Sequence, residues 1–471
     1  MRRILDFLRS DDLPRMTRPN FVRERGYFAL WMAVVGAVEG NLAAIVAKKT
    51  FDASDLLTSI VWAAPIVMMS LNVFWGLLIR GRRRLPLLVL LTACASVLIG
   101  SVAFASPGWH PWGGWVFALQ IAAVHVFVTG LLTLQASIWQ VNYPESHRGR
   151  IVGRLQTVRF LVVPVSGAAI ATLFDWDPDH YRFVYPGAAL VGMLSLIPLR
   201  RFRVRGERRT VPPARRRCHK RADSPAHPVR ARTDSGRDGF WTGLKEAAAI
   251  MREDPRFRRY MIAQFTLGAA NFFTDPVLVT VLTGQLMFGY LTSNVIMQVI
   301  PGVAVWLSIR FWAKYFDRVG VLRFRVVNSV AWIGAYVCVA ISMLVIGVTG
   351  RELLWLAIPI LVIGRAIKGA AHGGGTIAWS IGHLHFARER QVDLYMSIHV
   401  ALTGLRALVM PLLGSLANHL VGNASFVVAV AISLAAVLLF RRLAREDPRP
   451  GRPGESDARE RDATTTNPNV T

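Results

Sequence analysis

A chain of 471 residues, 53% hydrophobic yet carrying a formal net charge of +26, has to keep its apolar and charged residues apart. A soluble chain of this length would fold as about three domains, each helix or strand alternating polar with apolar positions, whereas here stretches such as Leu85 to Ala105 carry no charge at all. About 20 uncharged apolar residues cross a hydrocarbon core of about 30 Å as a helix, which excludes the soluble reading.

In chain order, an arginine-rich arm (residues 1–26) precedes the first run and carries Ile4, Leu5 and Leu8 at the spacing of a short surface helix. No small-residue cleavage pattern follows the first apolar run, so it is expected to remain as a true span. Six spans are predicted over 27–199: Tyr27–Ala47, Leu56–Ile79, Leu85–Ala105, Gly114–Trp139, Leu155–Phe174 and Phe183–Leu199. A basic, proline-containing linker follows over 200–258, ending in an amphipathic helix from Phe240 to Met251 with Asp238 as its N-cap. Six more spans are predicted over 259–443: Tyr260–Leu282, Thr292–Phe316, Val326–Val348, Leu353–Ile381, Leu394–Leu420 and Phe426–Leu443. The tail, 444–471, has no apolar period and reads as disordered. Cys94 and Cys338 lie inside apolar runs and Cys218 in the basic linker, which is no disulfide framework.

Arginine and lysine crowd into alternate loops: the arm, Arg80–Arg84, His147–Arg154, the linker, Lys314–Arg325, Arg388–Arg390 and the tail. The other loops hold little more than Lys48, Lys49, Arg182 and Arg351. By the positive-inside rule both termini belong in the cytoplasm. The charge is thereby assigned to topology and anionic headgroups, and no nucleic-acid partner is expected.

An internal repeat supports two related halves. Arg159, Pro164 and Gly167 in the fifth span match Arg406, Pro411 and Gly414 in the eleventh as R-x4-P-x2-G, with Leu155 and Leu402 at the same preceding offset. A fainter echo pairs Leu57-Thr58-Ser59 with Leu291-Thr292-Ser293. Six spans per half make the halves parallel, related by an axis along the membrane normal. The stretch from Ala313 to Gly320, with Asp317, Arg318 and Gly320, resembles the loop after the second span of each half in the major facilitator superfamily, and the first-half version from Gly76 to Arg84 has Arg80 where that family has its acidic residue. The resemblance covers nearly the whole chain and extends to bacterial members of the family. It implies an all-α membrane protein of twelve helices in two six-helix bundles, a multi-pass protein of the bacterial inner membrane. It also implies a monomeric secondary transporter of a small solute, with gating by Asp317, Arg318 and Gly320. A sensor or assembly protein of the same fold is the other reading.

Ionisable residues inside spans each cost at least about 2.5–3.5 kcal/mol, so they mark candidate sites. Glu39, beside Gly36, Gly40 and Asn41, and Asp275, before Pro276, are the acidic pair and the candidates for ion coupling; Asp275 reads equally as the cap of a broken helix. Arg365, Lys368 and His372 are spaced i, i+3 and i+7 on one face of the tenth span and, with Asn41 and His125, are the candidates for solute binding. Net positive charge there would suit an anionic solute; pairing of these cations with Glu39 and Asp275 is the alternative. Arg159 and Arg406 read as clamps between the halves, and Pro164 and Pro411 as kinks. No Walker loop, metal-spaced Cys/His set or nucleophile elbow occurs, so no enzyme, cofactor or metal site is expected.

Overall fold

The computed structural model describes residues 13–79, 82–205, 238–386 and 392–446, and every one of its regular elements is helical. The arm helix expected around Ile4, most of the linker with Cys218, and the tail from residue 447 lie outside the described residues. The first span is built of α1 (Arg18–Val38) and α2 (Gly40–Lys49), and the second of α3 (Asp55–Met69) and α4 (Asn72–Ile79). α5 (Arg84–Ser101), α6 (Trp112–Asn142) and α7 (Glu145–Trp176) follow, and α8 (Tyr181–Leu194) with α9 (Leu196–Leu199) forms the sixth. α10 (Asp238–Glu253) leads into α11 (Pro255–Thr280); α12 (Tyr290–Asn294) then passes through a π turn into α13 (Ile300–Val319). α14 (Val321–Thr349), α15 (Leu354–Ile381), α16 (Val392–Val421) and α17 (Ser425–Arg445) complete the chain.

Among the described residues ten runs are long and apolar enough to cross a membrane, and two of them, of 60 and 51 residues, are too long for one crossing. Each of these turns back once at a glycine with positive φ, Gly320 (φ 72°) and Gly422 (φ 57°), a conformation other residues adopt only at a cost. The result is the twelve-helix membrane fold that the sequence predicts. Helix ends differ from prediction where polarity misleads. α7 begins at Glu145, ten residues before its expected start, because nothing after Pro144 breaks a helix although the residues there are charged. Asp238 is the first residue of α10 rather than its cap. The last turns of α10 also dock on protein: Ile250 is buried and Met251 partly so, against Phe257, Tyr260 and Leu443.

An even number of crossings puts Arg18 and Arg445 on one side, called here the terminal face. The first and last six helices meet through α7 against α12 and α13, α3 against α16, and α2 against α11 and α12. Their apolar packing is uneven. On the side opposite the terminal face, Val38, Ala44 and Phe174 of the first six helices share one buried cluster with Leu278, Leu282 and Tyr290 of the last six. Toward the terminal face the buried apolar residues of the last six helices, such as Tyr260, Trp332 and Phe440, form a cluster of their own. The two sets are therefore joined at the opposite face and parted toward the terminal one.

Candidate functional site

Between the two sets lies a cavity of about 590 Å³, inside the usual range for small-molecule sites. Its lining runs from Glu39, Asp275 and Met297 at mid-span to Val152 near the start of α7 and Ser380 near the end of α15, so it extends toward the terminal face.

The first span is broken where it meets this cavity. α1 stops at Val38, Glu39 is extended (φ −67°, ψ 143°), and α2 restarts at Gly40. A Cβ on Gly40 would sit 2.7 Å from the Trp62 carbonyl oxygen, so only glycine lets the restarted helix lie this close to α3. The break frees the Val38 carbonyl of its helical partner, and His125 Nε2 lies 3.0 Å from that oxygen. His125 is buried in the first set of helices and does not line the cavity. The expected solute ligand thus stands behind the cavity wall, with its ring against the backbone at a helix break. Asn41 does line the cavity; its Oδ1 accepts from Trp62 Nε1 (2.9 Å) and its Nδ2 points to the Met297 carbonyl (3.5 Å). Glu39 reaches the cavity as well, with Oε1 3.5 Å from Arg159 Nη2.

A second charged group faces it from the last six helices. Arg365 Nη1 donates to Asp275 Oδ1 (2.8 Å), and Lys368 Nζ donates to Asp275 Oδ2. Arg365 also donates from Nε to the Ile296 carbonyl (3.1 Å) and from Nη2 to the Met297 carbonyl (2.8 Å). Both carbonyls belong to the π turn Val295–Val299. A π turn displaces the regular i→i+4 partners, so it offers backbone acceptors at this depth, and a planar guanidinium can take two of them together. Asp275 lies inside α11, not at a helix end, so the capping reading gives way to the pairing one. Side-chain exposure is 1% for Arg365, 9% for Lys368 and 7% for Asp275, and three charges so buried persist only because they satisfy one another. His372, the third residue of the predicted stripe, is open to the cavity with its ring edge-on to Trp332.

The other expected residues fall elsewhere. Arg159 pairs with α1's end and Arg406 with α11, where Nη1 donates to the Gln264 carbonyl (2.9 Å) and the guanidinium lies over the Phe272 ring (4.7 Å). In this structure each arginine, expected as a clamp between halves, has these contacts within its own set of six. A Cβ on Gly268 would overlap the Arg406 guanidinium at 2.1 Å, so this glycine makes its bed. Pro164 and Pro411 sit inside helices that continue through them; Pro164 lines the cavity and lies against Gly302 of α13. Asp317 and Arg318 are exposed at the end of α13, away from the cavity, and Gly320 makes the turn after them.

Several polar residues escaped the sequence reading. Asn271 Oδ1 and both side-chain polar atoms of Gln298 line the cavity region without a partner. A search for charges alone passes over amides, yet an amide inside an apolar run is itself a signal. Arg325, assigned by sequence to a loop, is 1% exposed inside α14. Glu24 of the presumed arm is buried and accepts from Trp139 Nε1 and Tyr143 OH.

No curated protein matches the sequence. Among solved structures, the fold is similar to the nucleoside transporter NupG (12% identity, 92% of this chain and 100% of that one, TM-score 0.57). It is similar too to a bacterial homologue of the human lysosomal transporter Spinster in an inward-facing, unoccupied conformation (14% identity, 91% and 99%, TM-score 0.60). A third is the inward-open xylose transporter XylE from E. coli (12% identity, 92% and 97%, TM-score 0.60). At such identities these likenesses speak for the fold alone. The family model of the Major Facilitator Superfamily matches residues 26–358, through the broken first span, Asp275 and the turn at Gly320, and the chain belongs to that superfamily.

Proposed function

We propose that this chain carries a small organic anion through the cavity between residues 27–199 and 259–443, with its terminal face in the cytoplasm of a bacterial cell. Secondary transport by alternating access follows from the family. The observation that carries the finer reading is the charge of the lining. Arg159, Arg365 and Lys368 face only Glu39 and Asp275, leaving one unmatched positive charge at a depth where water screens poorly. An anionic solute would match it, and the unpartnered Asn271 and Gln298 amides would hydrogen-bond hydroxyl or carbonyl groups on the same solute. Arg406, outside the lining, adds nothing to this balance.

The acidic pair divides its work. Both Asp275 oxygens are taken by cations, so this carboxylate holds Arg365 and Lys368 in place. Glu39 keeps one oxygen without a partner and a longer contact to Arg159, which makes it the group for a coupled proton. The orientation rests on the basic loops: Arg200, Arg201, Arg259, Lys314 and Arg441 all belong to the terminal face.

Purified protein reconstituted in proteoliposomes tests the reading with matched panels of carboxylates, phosphate monoesters, neutral sugars and amines. Uptake is expected for a member of the anionic panels, and Arg365→Lys, which keeps the charge and loses the planar fork, is expected to lower it about tenfold or more. Accumulation of neutral or cationic solutes alone would overturn the anion. Glu39→Gln should retain exchange of the same solute and lose its accumulation against a gradient; normal accumulation by that variant would remove Glu39 from coupling.

A further inference from the structure

The segment that leaves the sixth span is built differently from an ordinary basic loop. Along residues 201–205 burial alternates: Phe202 (3%) and Val204 (8%) are buried while Arg201, Arg203 and Arg205 are exposed. The three arginines therefore stand together on the exposed side of the segment, as a comb. Two asparagines fix this backbone. Asn20 Nδ2 and Asn142 Nδ2 donate to the Arg203 carbonyl (2.8 and 3.1 Å), and Asn142 Oδ1 accepts from the Arg205 amide (2.9 Å). Arg23 Nη1 closes the row on the Arg201 carbonyl. The comb faces a cavity of about 870 Å³, lined also by Arg200 and the exposed Met16, with no carboxylate in its lining among the described residues. None of the guanidiniums of Arg200, Arg201, Arg203 and Arg205 has a hydrogen-bond or ion-pair partner among the described residues.

A held backbone with four unpaired guanidiniums is a site for an anion whose acceptors are phosphate oxygens. What lies above it identifies the source. Leu190 (61%), Leu194 (43%) and Ile197 (52%) are exposed at i, i+4 and i+7 on the sixth span, an apolar strip that runs down to Arg200 and Arg201. Acyl chains would cover that strip and a free phosphate would not. The equivalent place after the twelfth span lacks this character, because Glu446 lines the cavity of Arg442 and Arg445 and pairs with Arg259. We infer that the comb of Arg201, Arg203 and Arg205 is a specific binding site for the headgroup of an anionic phospholipid.

Native mass spectrometry of the full chain in detergent tests this with phosphatidylglycerol, phosphatidylcholine and inorganic phosphate as probes. Wild type should retain phosphatidylglycerol over phosphatidylcholine. The variant Arg201→Gln/Arg203→Gln/Arg205→Gln should lose that preference by about fivefold or more. The variant Arg441→Gln/Arg442→Gln/Arg445→Gln removes the same charge from the same face and should keep the preference. Equal losses in both variants would mean general charge attraction and overturn the site. Binding of inorganic phosphate that displaces the lipid at equal concentration would overturn the lipid as its occupant. Should the triple variant fail to purify, Arg203→Gln alone, with its backbone anchors intact, reads the same preference in the same direction.

Discussion

Asp275 is the residue on which the charged cavity depends. Its carboxylate is shared by Arg365 and Lys368, and all three side chains are at least nine-tenths buried. Removing one partner of a buried ion group leaves an uncompensated charge and costs about 3–5 kcal/mol, far more than losing the attraction itself. Asp275→Asn is therefore expected to lower the melting temperature of the purified protein sharply, and the double variant Asp275→Asn/Lys368→Met to recover part of the loss. An Asp275→Asn protein that melts like wild type would show that the cations are satisfied without it. That these three residues are charges set inside spans was legible in the sequence, since charges in apolar runs are rare enough to notice. Which of them pair was not, because Asp275 and Arg365 are 90 positions apart and spacing along two separate helices gives no distance between them.

At the scale of the helix, the break in the first span shows the same division. The glycines around Glu39 announce a bend, but the groups that stabilise it come from elsewhere in the chain: Trp62, whose carbonyl Gly40 approaches, and His125, whose ring reaches the Val38 carbonyl. The R-x4-P-x2-G repeat was legible and has a packing meaning, since Gly167 lies against the Gly36 carbonyl and Gly414 against that of Phe273, equivalent contacts to α1 and α11. The π turn at Val295–Val299 was not legible, because no residue type marks the extra residue it accommodates. His125→Phe would leave the Val38 carbonyl without a partner and is expected to destabilise the fold by about 1–3 kcal/mol. Its solute affinity should stay unchanged, since His125 is outside the cavity lining. A loss of affinity without a loss of stability would return His125 to the solute site.

For the whole molecule, twelve crossings and their division into six and six could be read from hydropathy and the repeat, but the state of the transporter could not, because alternate states share one sequence. The structure is closed on the face away from the termini, and the closure is polar as well as apolar. Asp175, at the end of α7, accepts from the backbone amides of Tyr290 (2.6 Å) and Leu291 (2.9 Å) at the start of α12. Lys49 Nζ donates to the Phe288 carbonyl (2.9 Å) and lies over the Tyr290 ring, whose hydroxyl meets Thr50 Oγ1 at 2.9 Å. Each of these contacts joins the first six helices to the last six, so each must break when this face opens. A hydrogen bond to a charged group contributes about 1.5–3 kcal/mol, and about 1.4 kcal/mol is a tenfold change in a two-state equilibrium. Asp175→Ala should therefore raise the population open on this face by at least about tenfold, without touching the cavity. Spin labels at Asp177 and Gln285, both exposed at this face, would report it as a longer-distance component that grows in the variant. If the distance distribution is the same with and without the Asp175 carboxylate, the latch is ornamental and closure rests on the apolar contacts around Phe174 and Tyr290 alone.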